Sequence, residues 1–251
     1  DPSNYVEPGH HPDNHYFVFS PSNPDILFNA SDGGVAKTTD CTAPDPVWES
    51  LNNGYYTTQF YTVAMEPGQT NNEIVIGGMQ DNGTWFTNSL EVDTLWREVG
   101  IDDGAYCAIS EGRDFYLISS QLGRIYKKDV DDNGNILNTQ RIDPTGGPTN
   151  YNFINPFILD PHNTDILYIA ARNKLWRNDD VGAIPMTGDL YNTVSTNWSS
   201  ISGSQLGIQD GVVTTLDISE ALPNVVFFGT STSRVFRLDD ANTASAAKTD
   251  I

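Results

Sequence analysis

Oxygen-bearing side chains fall at alternate positions in Asp129-Val130-Asp131-Asp132-Asn133-Gly134. A calcium loop begins this way, with oxygens at its first, third and fifth positions and a glycine that lets the chain curl round a hard cation. Asp129, Asp131 and Asn133 are therefore candidate ligands for Ca2+, the one cofactor to which the sequence points. At the twelfth position, where such loops place a bidentate glutamate, stands Gln140. The flanks, Lys127-Lys128 and NILNTQRI, also read as hairpin strands, and Asp132-Asn133-Gly134 is a hairpin turn in its own right. The motif is short and incomplete, which favours the plain hairpin.

His11, Asp13 and His15 form a second cluster, with His10 adjoining. On an extended segment these alternate residues share a face and could approach one metal ion. No fourth ligand is identifiable. The other reading is a surface loop whose histidines bond backbone.

Four more carboxylates, Asp32, Asp81, Asp103 and Asp210, each stand within two residues of a glycine. Two carboxyls facing across a groove, one as acid and one as base or nucleophile, hydrolyse glycosidic bonds. Aspartate–glycine turns are also ordinary turn chemistry. No Ser-His-Asp motif, phosphate-binding loop or cysteine site competes with these candidates.

The elements that must position these residues recur along the chain. A tight turn and the strand after it appear as SDGGVAKT, QDNGTWFT, SQLGRIYK, ARNKLWRN and TSTSRVFR. Taking Gly34, Gly83, Gly123, Asn173 and Ser233 as equivalent gives spacings of 49, 40, 50 and 60 residues. A β-rich run precedes each (ILFNA, EIVIGGM, FYLISS, ILYIAA, VVFFGT), then a turn (PSNPD, PGQTNN, EGRD, PHNTD, EALPN), then another strand (YFVFS, FYTVAME, AYCAIS, FINPFILD, VTTLDIS). A fourth strand follows after a variable loop: WESLN, LWREVG, TQRIDP, WSSIS and KTDI. Four antiparallel strands A to D, repeated every 40–60 residues, predict an all-β fold, a β-propeller. Five blades fit, at about 11–54, 55–100, 101–147, 148–207 and 208–251. They make up a single domain over 1–251, as a closed five-bladed ring or as part of a larger propeller. Phe19, Ile76, Ile118, Ile169 and Phe228 are predicted to be interior.

In a propeller the B–C turns and the D-to-A links lie on one face. The links carry His11, Asp13, His15, Thr58, Gln59, Asp102, Asp103, Asn150, Asn152, Asn155, Gln209 and Asp210. The turns carry Asp32, Gln80, Asp81, Asn82, Gln121, Arg172, Asn173 and Thr232, with Tyr55, Tyr56, Tyr61, Tyr106 and Tyr151 close by. Carboxylates, amides and tyrosines on one rim suit a glycan or a cation. The plainer reading is a solvated set of surface loops.

HPDNHYFVFSPSNPDILFNASDGGVAKT, WESLNNGYYTTQFYTVAMEP and IGGMQDNGTWFT together resemble the BNR/Asp-box propellers, the sialidase-like and sortilin-like repeats of exported bacterial proteins. The resemblance is good over about residues 10–100 and fades to blade rhythm afterwards. The Asp-box itself is degraded: Thr38-Thr39-Asp40 is followed by Cys41 and a proline-rich insertion before Trp48. Trp96 and Trp198 keep only the aromatic at the start of strand D. The resemblance implies a secreted or cell-surface protein, in a family with seven or eight blades or two propellers. Sialidases of this kind need an arginine triad, and no Arg-Ile-Pro motif is present. Arg124, Arg172 and Arg234 recur at equivalent turns, which suggests a structural position. Propeller glycosidases of the xyloglucanase-like type use two carboxylates across a cleft, for which Asp32, Asp81, Asp103 and Asp210 are candidates here.

Composition narrows the partners. With 33 acidic and 13 basic residues the formal charge is −20, which argues against nucleic acid and anionic membrane surfaces. No window of 18 apolar residues occurs, so membrane insertion is not expected. Cys41 and Cys107 occupy unlike positions in different repeats, and a loop thiol and a buried strand thiol fit better than a disulfide. The opening DPSNYVEPGHHPDN has no hydrophobic signal region, so a mature form or an internal fragment is expected, with further blades or domains in a longer chain. The functional expectation is an extracellular module that binds a glycan or a protein through its acid-rich rim, without catalysis. The alternative is a glycoside hydrolase using a pair of rim carboxylates.

Overall fold

The computed structural model describes residues 11–52, 54, 59–68, 73–91 and 94–251. The chain forms two compact units, Asp1–Gln59 and Phe60–Ile251. The first holds one antiparallel sheet, in the order β1 (Asn14–Ser20), β2 (Asn23–Ser31), β3 (Gly34–Thr38) and β4 (Trp48–Ser50). The second holds four more sheets of the same up-and-down plan. These are β5 (Thr62–Met65), β6 (Val75–Gly78), β7 (Thr84–Thr87) and β8 (Arg97–Gly100); then β9 (Cys107–Ile109), β10 (Tyr116–Ser120), β11 (Arg124–Val130) and β12 (Ile136–Arg141). They continue with β13 (Phe157–Asp160), β14 (Asn163–Ala171), β15 (Lys174–Asn178) and β16 (Trp198–Ile201), and end with β17 (Val213–Ile218), β18 (Val226–Thr230), β19 (Val235–Asp239) and β20 (Ala247–Asp250). Each expected strand A to D is present.

Local chemistry sets the turns. Asn23 Oδ1 accepts the Asp25 N–H at 3.0 Å, and Asn163 Oδ1 accepts the Asp165 N–H at 3.1 Å. These side-chain turns let strand B begin at the asparagine with a local irregularity in its pairing to strand A. The A–B connections therefore shrink to Pro21-Ser22 and Pro161-His162, shorter than the sequence suggests. Strand D of the third blade also starts earlier than TQRIDP, because the 131–135 turn joins β11 directly to β12.

In the second unit the core lies between consecutive sheets. On β10, Tyr116 and Ile118 face the second blade and pack with Ile76, Phe86 and Val99. Leu117, on the opposite face, packs with Phe157, Leu167 and Ile169 of the fourth. Tyr168 and Leu175 meet Leu216, Val226 and Phe228 of the fifth. Both faces of a central strand are thus covered, and β10 is buried at every position, which hides the usual period-two pattern.

Ile76, Ile118, Ile169 and Phe228 are interior, at 1%, 3%, 0% and 1% exposure. Phe19 is not: it is 57% exposed. β1 pairs with β2 on one side only, and both of its faces are open, as exposed Phe17 and Val18 on alternate sides show. The blade register is right, but the covering layer that Phe19 requires is missing from the first unit.

Cys107 is buried in β9, where burial pushes its thiol up to about 11, which makes it inert. Cys41 lies in a loop, and both thiols are free. Among the described residues no helix is long and apolar enough to cross a membrane.

Candidate functional site

In the second unit, the B–C turns of blades two, three and four are hydrogen-bonded to the link or first strand of the next blade, and that of blade five to its own entry link. Gly83 N–H donates to Asp102 O at 3.1 Å, and Asp81 N–H to Asp103 Oδ1 at 3.0 Å. Asp103 N–H donates to Gln121 Oε1 at 3.3 Å, and Leu122 N–H to Phe153 O at 3.0 Å. Asn152 Nδ2 donates to Val213 O at 2.7 Å, and Val213 N–H to Arg172 O at 2.7 Å. Thr232 Oγ1 donates to Asp210 O at 2.8 Å. The rim is therefore one bonded series running from blade two to blade five. Each of its B–C turns holds a non-glycine residue in the left-handed region: Asp81 (φ 61°), Leu122 (62°), Arg172 (61°) and Ser233 (61°). Such backbone is tolerated where surrounding bonds fix it.

The candidate carboxylates of this unit are acceptors inside that series. Asp210 is buried; its Oδ2 accepts the Gly207 N–H at 2.8 Å, and its Oδ1 pairs with the Arg234 guanidinium, which also holds Asp250. Arg234 thus has the structural role its position suggests. Asp103 and Asp81 are half-buried and joined through the Asp81 N–H, while Asp102 is exposed at φ 68°. Asn155 is buried, with its amide donating to Ala170 O at 2.7 Å. Tyr61 is exposed and bonds Gln80 through its hydroxyl.

Tyr106 and Tyr151, expected near the rim, pack against the core between blades three and four, and burial raises the pKa of both phenols. Gln59 is exposed. His10, Tyr55, Tyr56 and Thr58 lie outside the described residues.

In the first unit His15 Nε2 pairs with Asp32 Oδ1 across the sheet, whereas His11 Nδ1 stands 3.7 Å from Asp13 Oδ2 and accepts the Asp13 N–H at 3.3 Å. The three residues of the sequence cluster are thus divided between two local partnerships. Asp40 accepts Thr42 Oγ1 at 2.8 Å and Thr42 N–H at 3.1 Å, which hold its pKa below the ordinary value. It caps its own turn.

The 129–134 stretch is folded as a hairpin. Asp131 Oδ1 accepts the N–H groups of Asn133 and Asn135 at 2.9 and 2.8 Å, and Oδ2 accepts Asn135 Nδ2 at 2.8 Å, lowering the pKa of this carboxyl. Asp132 O accepts Asn88 Nδ2 at 2.8 Å, and its carboxylate pairs with Arg113 at 2.6 Å. Gly134, at φ +79°, lies so close to Phe86 that a Cβ would come within 2.6 Å of the ring. Asp129 is exposed on β11, opposite Asn138. Since Asp131 works as a turn cap, Asp131→Ala should lower the thermal midpoint equally in calcium and in EDTA. A loss seen only with calcium would restore the cation reading.

The sequence reading passed over Lys127. It is buried, and its ammonium donates to the carbonyls of Val181, Gly182 and Ile184 at 2.9, 2.8 and 3.1 Å. The signal was available: two consecutive lysines in a strand face opposite sides, and both sides of an inner blade are covered.

No family model and no curated protein matches the chain. Its architecture is similar to that of a solved structure described as an ancestral GH74 enzyme, with a TM-score of 0.59 and 14% identity over 93% of this chain. The fold is a β-propeller of four-stranded blades. The chain spans about a third (35%) of that enzyme's length. At such identity the similarity carries the architecture alone.

Proposed function

We propose that the rim of the second unit recognises a polyhydroxylated ligand, a glycan, and that this propeller works as a non-catalytic module of an exported or cell-surface protein. One observation carries the reading. The rim carboxylates are already fixed as acceptors, Asp103 by the Asp81 N–H and Asp210 by Gly207 and Arg234. An ionised carboxylate accepts only, and sugar hydroxyls are donors that suit a set of preplaced acceptors. Exposed Asp102 and Gln80 extend the set outward. The BNR/Asp-box resemblance and the strongly acidic composition support the export reading, and further blades or domains of a longer chain, or an extracellular protein, are its natural partners.

The test is a glycan array on the wild-type chain, followed by titration of the retained glycan and an assay for newly formed reducing ends. Binding without release is expected. Asp102→Asn keeps size and tolerates the left-handed backbone, and it should weaken affinity about tenfold, the value of one charge-assisted hydrogen bond. Release of reducing ends, abolished by Asp81→Asn or Asp103→Asn, would establish the hydrolase alternative. The absence of any retained glycan would overturn the proposal.

A further inference from the structure

A cavity of about 290 Å³ opens between the second and third blades, with Asp102 of the rim series on its wall. That is near the lower end for small-ligand pockets, roughly 300–1,000 Å³. Its wall is largely apolar, with Val99, Ile101, Ile118, Ile136 and Leu190, and Ile101, Ile136 and Leu190 are exposed at its mouth. Lys128 lines it from β11.

Lys128 is 7% exposed. It sits between Tyr116 of β10 and Thr139 of β12, and its ammonium donates to Thr139 Oγ1 at 3.1 Å. That is its one hydrogen bond, and it makes no ion pair, among the described residues. Glu98, Asp102 and Tyr126 are the other titratable groups on the cavity wall. The contrast with Lys127 is sharp: one residue earlier, on the opposite face, that amine uses all three donors on backbone carbonyls. A buried lysine without a carboxylate partner is costly to keep, and it is the kind of amine that reacts with carbonyl carbon.

We propose that this inter-blade cavity is a binding site for a small apolar aldehyde, which Lys128 captures as an imine. The neutral Nζ adds its lone pair to the carbonyl carbon, and the π electrons move to oxygen, which takes up a proton. The nitrogen then gives up its protons as that oxygen leaves as water, and the C=N bond forms. No oxidant or co-reactant is consumed. Burial away from water moves the Lys128 ammonium down to about 8, so the reactive form is abundant at mildly alkaline pH. The apolar mouth supplies affinity for an alkyl chain.

The experiment is reductive trapping of the full chain with hexanal and cyanoborohydride, mapped by peptide mass spectrometry, with formaldehyde as the chain-free comparison. Lys128 should be alkylated by hexanal at least tenfold faster than Lys37, Lys174 or Lys248. Its rate should rise to half-maximum near pH 8, and Lys127 should stay unmodified. The preference for hexanal over formaldehyde should be larger at Lys128 than at half-buried Lys37, Lys174 and Lys248 and should shrink in Ile101→Asp, a change at a position 74% exposed. A Lys128 no faster than those three lysines would overturn the proposal. So would a Lys128 with the same aldehyde preference as theirs, since that would mark a reactive amine without a site. The wild-type measurement decides the matter without any substitution at Lys128.

Discussion

Gly104→Ala is expected to destabilise the second unit by about 3 kcal/mol or more, the upper end of what overfilling a close-packed site costs. A Cβ at this position would lie 2.0 Å from Gly83 O, 2.5 Å from Gly83 C and 2.8 Å from Thr84 Oγ1. Two of those atoms are backbone, and they cannot swing aside as a flexible side chain would. Nor can the turn retreat, because the Gly83 N–H is bonded to Asp102 O and Gly83 O accepts the Met79 N–H at 2.9 Å. The glycine is there for close approach between the blade-two turn and the blade-three link. Gly112 provides the comparison: it has φ +70° but nothing within 4 Å of its added Cβ. Gly112→Ala should cost only about 1 kcal/mol of backbone strain. Denaturant midpoints of both variants check the pair. A Gly104→Ala loss no greater than that of Gly112→Ala would show that the seam is looser than described.

Lys127→Met should be comparably damaging for the opposite reason, the loss of partners rather than the lack of room. The methionine fills the same space, but the carbonyls of Gly182 and Ile184 lose the ammonium donor, while Val181 O keeps the Ile184 N–H at 3.1 Å. A buried acceptor left unpaired costs about 1–3 kcal/mol; Ile184 O is left so, while Gly182 is exposed, so the expected loss is roughly 2–3 kcal/mol. For a chain of this size that corresponds to a fall of roughly 5–10 °C in the thermal midpoint. The contact of the ammonium with the Phe115 ring, at 5.3 Å, is lost as well. Lys174 stands over Trp176 at 5.2 Å without such carbonyl bonds, so Lys174→Met should cost less than about 1 kcal/mol. Equal midpoints for the two variants would contradict the role given to Lys127.

The strands were legible because their punctuation is chemical. Prolines, asparagines and glycines mark every A–B turn and the B–C turns of the first four blades, and a blade is a local up-and-down meander that needs no distant partner to be recognised. The turn set was legible for the same reason: the residues placed on the B–C turns and D-to-A links of the second unit do meet, as Asp81 with Asp103 and Leu122 with Phe153 show. What a strand meets across the next layer was harder to read. Phe19 has the pattern of a covered position, yet nothing in the first unit covers it. Tyr106 and Tyr151 stand beside polar link residues in sequence, but their rings turn into the seam between blades three and four. His11, Asp13 and His15 share a face only while the chain stays extended; the irregular pairing near Asn14 and the pull of Asp32 separate them. The function of a carboxylate such as Asp210 depends on a partner 24 residues away, Arg234, and spacing alone does not encode that.

The central claim is that the bonded rim of the second unit is the ligand surface. Hydrogen–deuterium exchange of the whole chain, with and without the glycan retained on the array, tests it most directly. Added protection is predicted at 80–83, 102–105, 121–123, 150–155, 172–173 and 209–213, with the outer strands β8, β12, β16 and β20 unchanged. Protection confined to those outer strands, or none at saturating glycan, would contradict it.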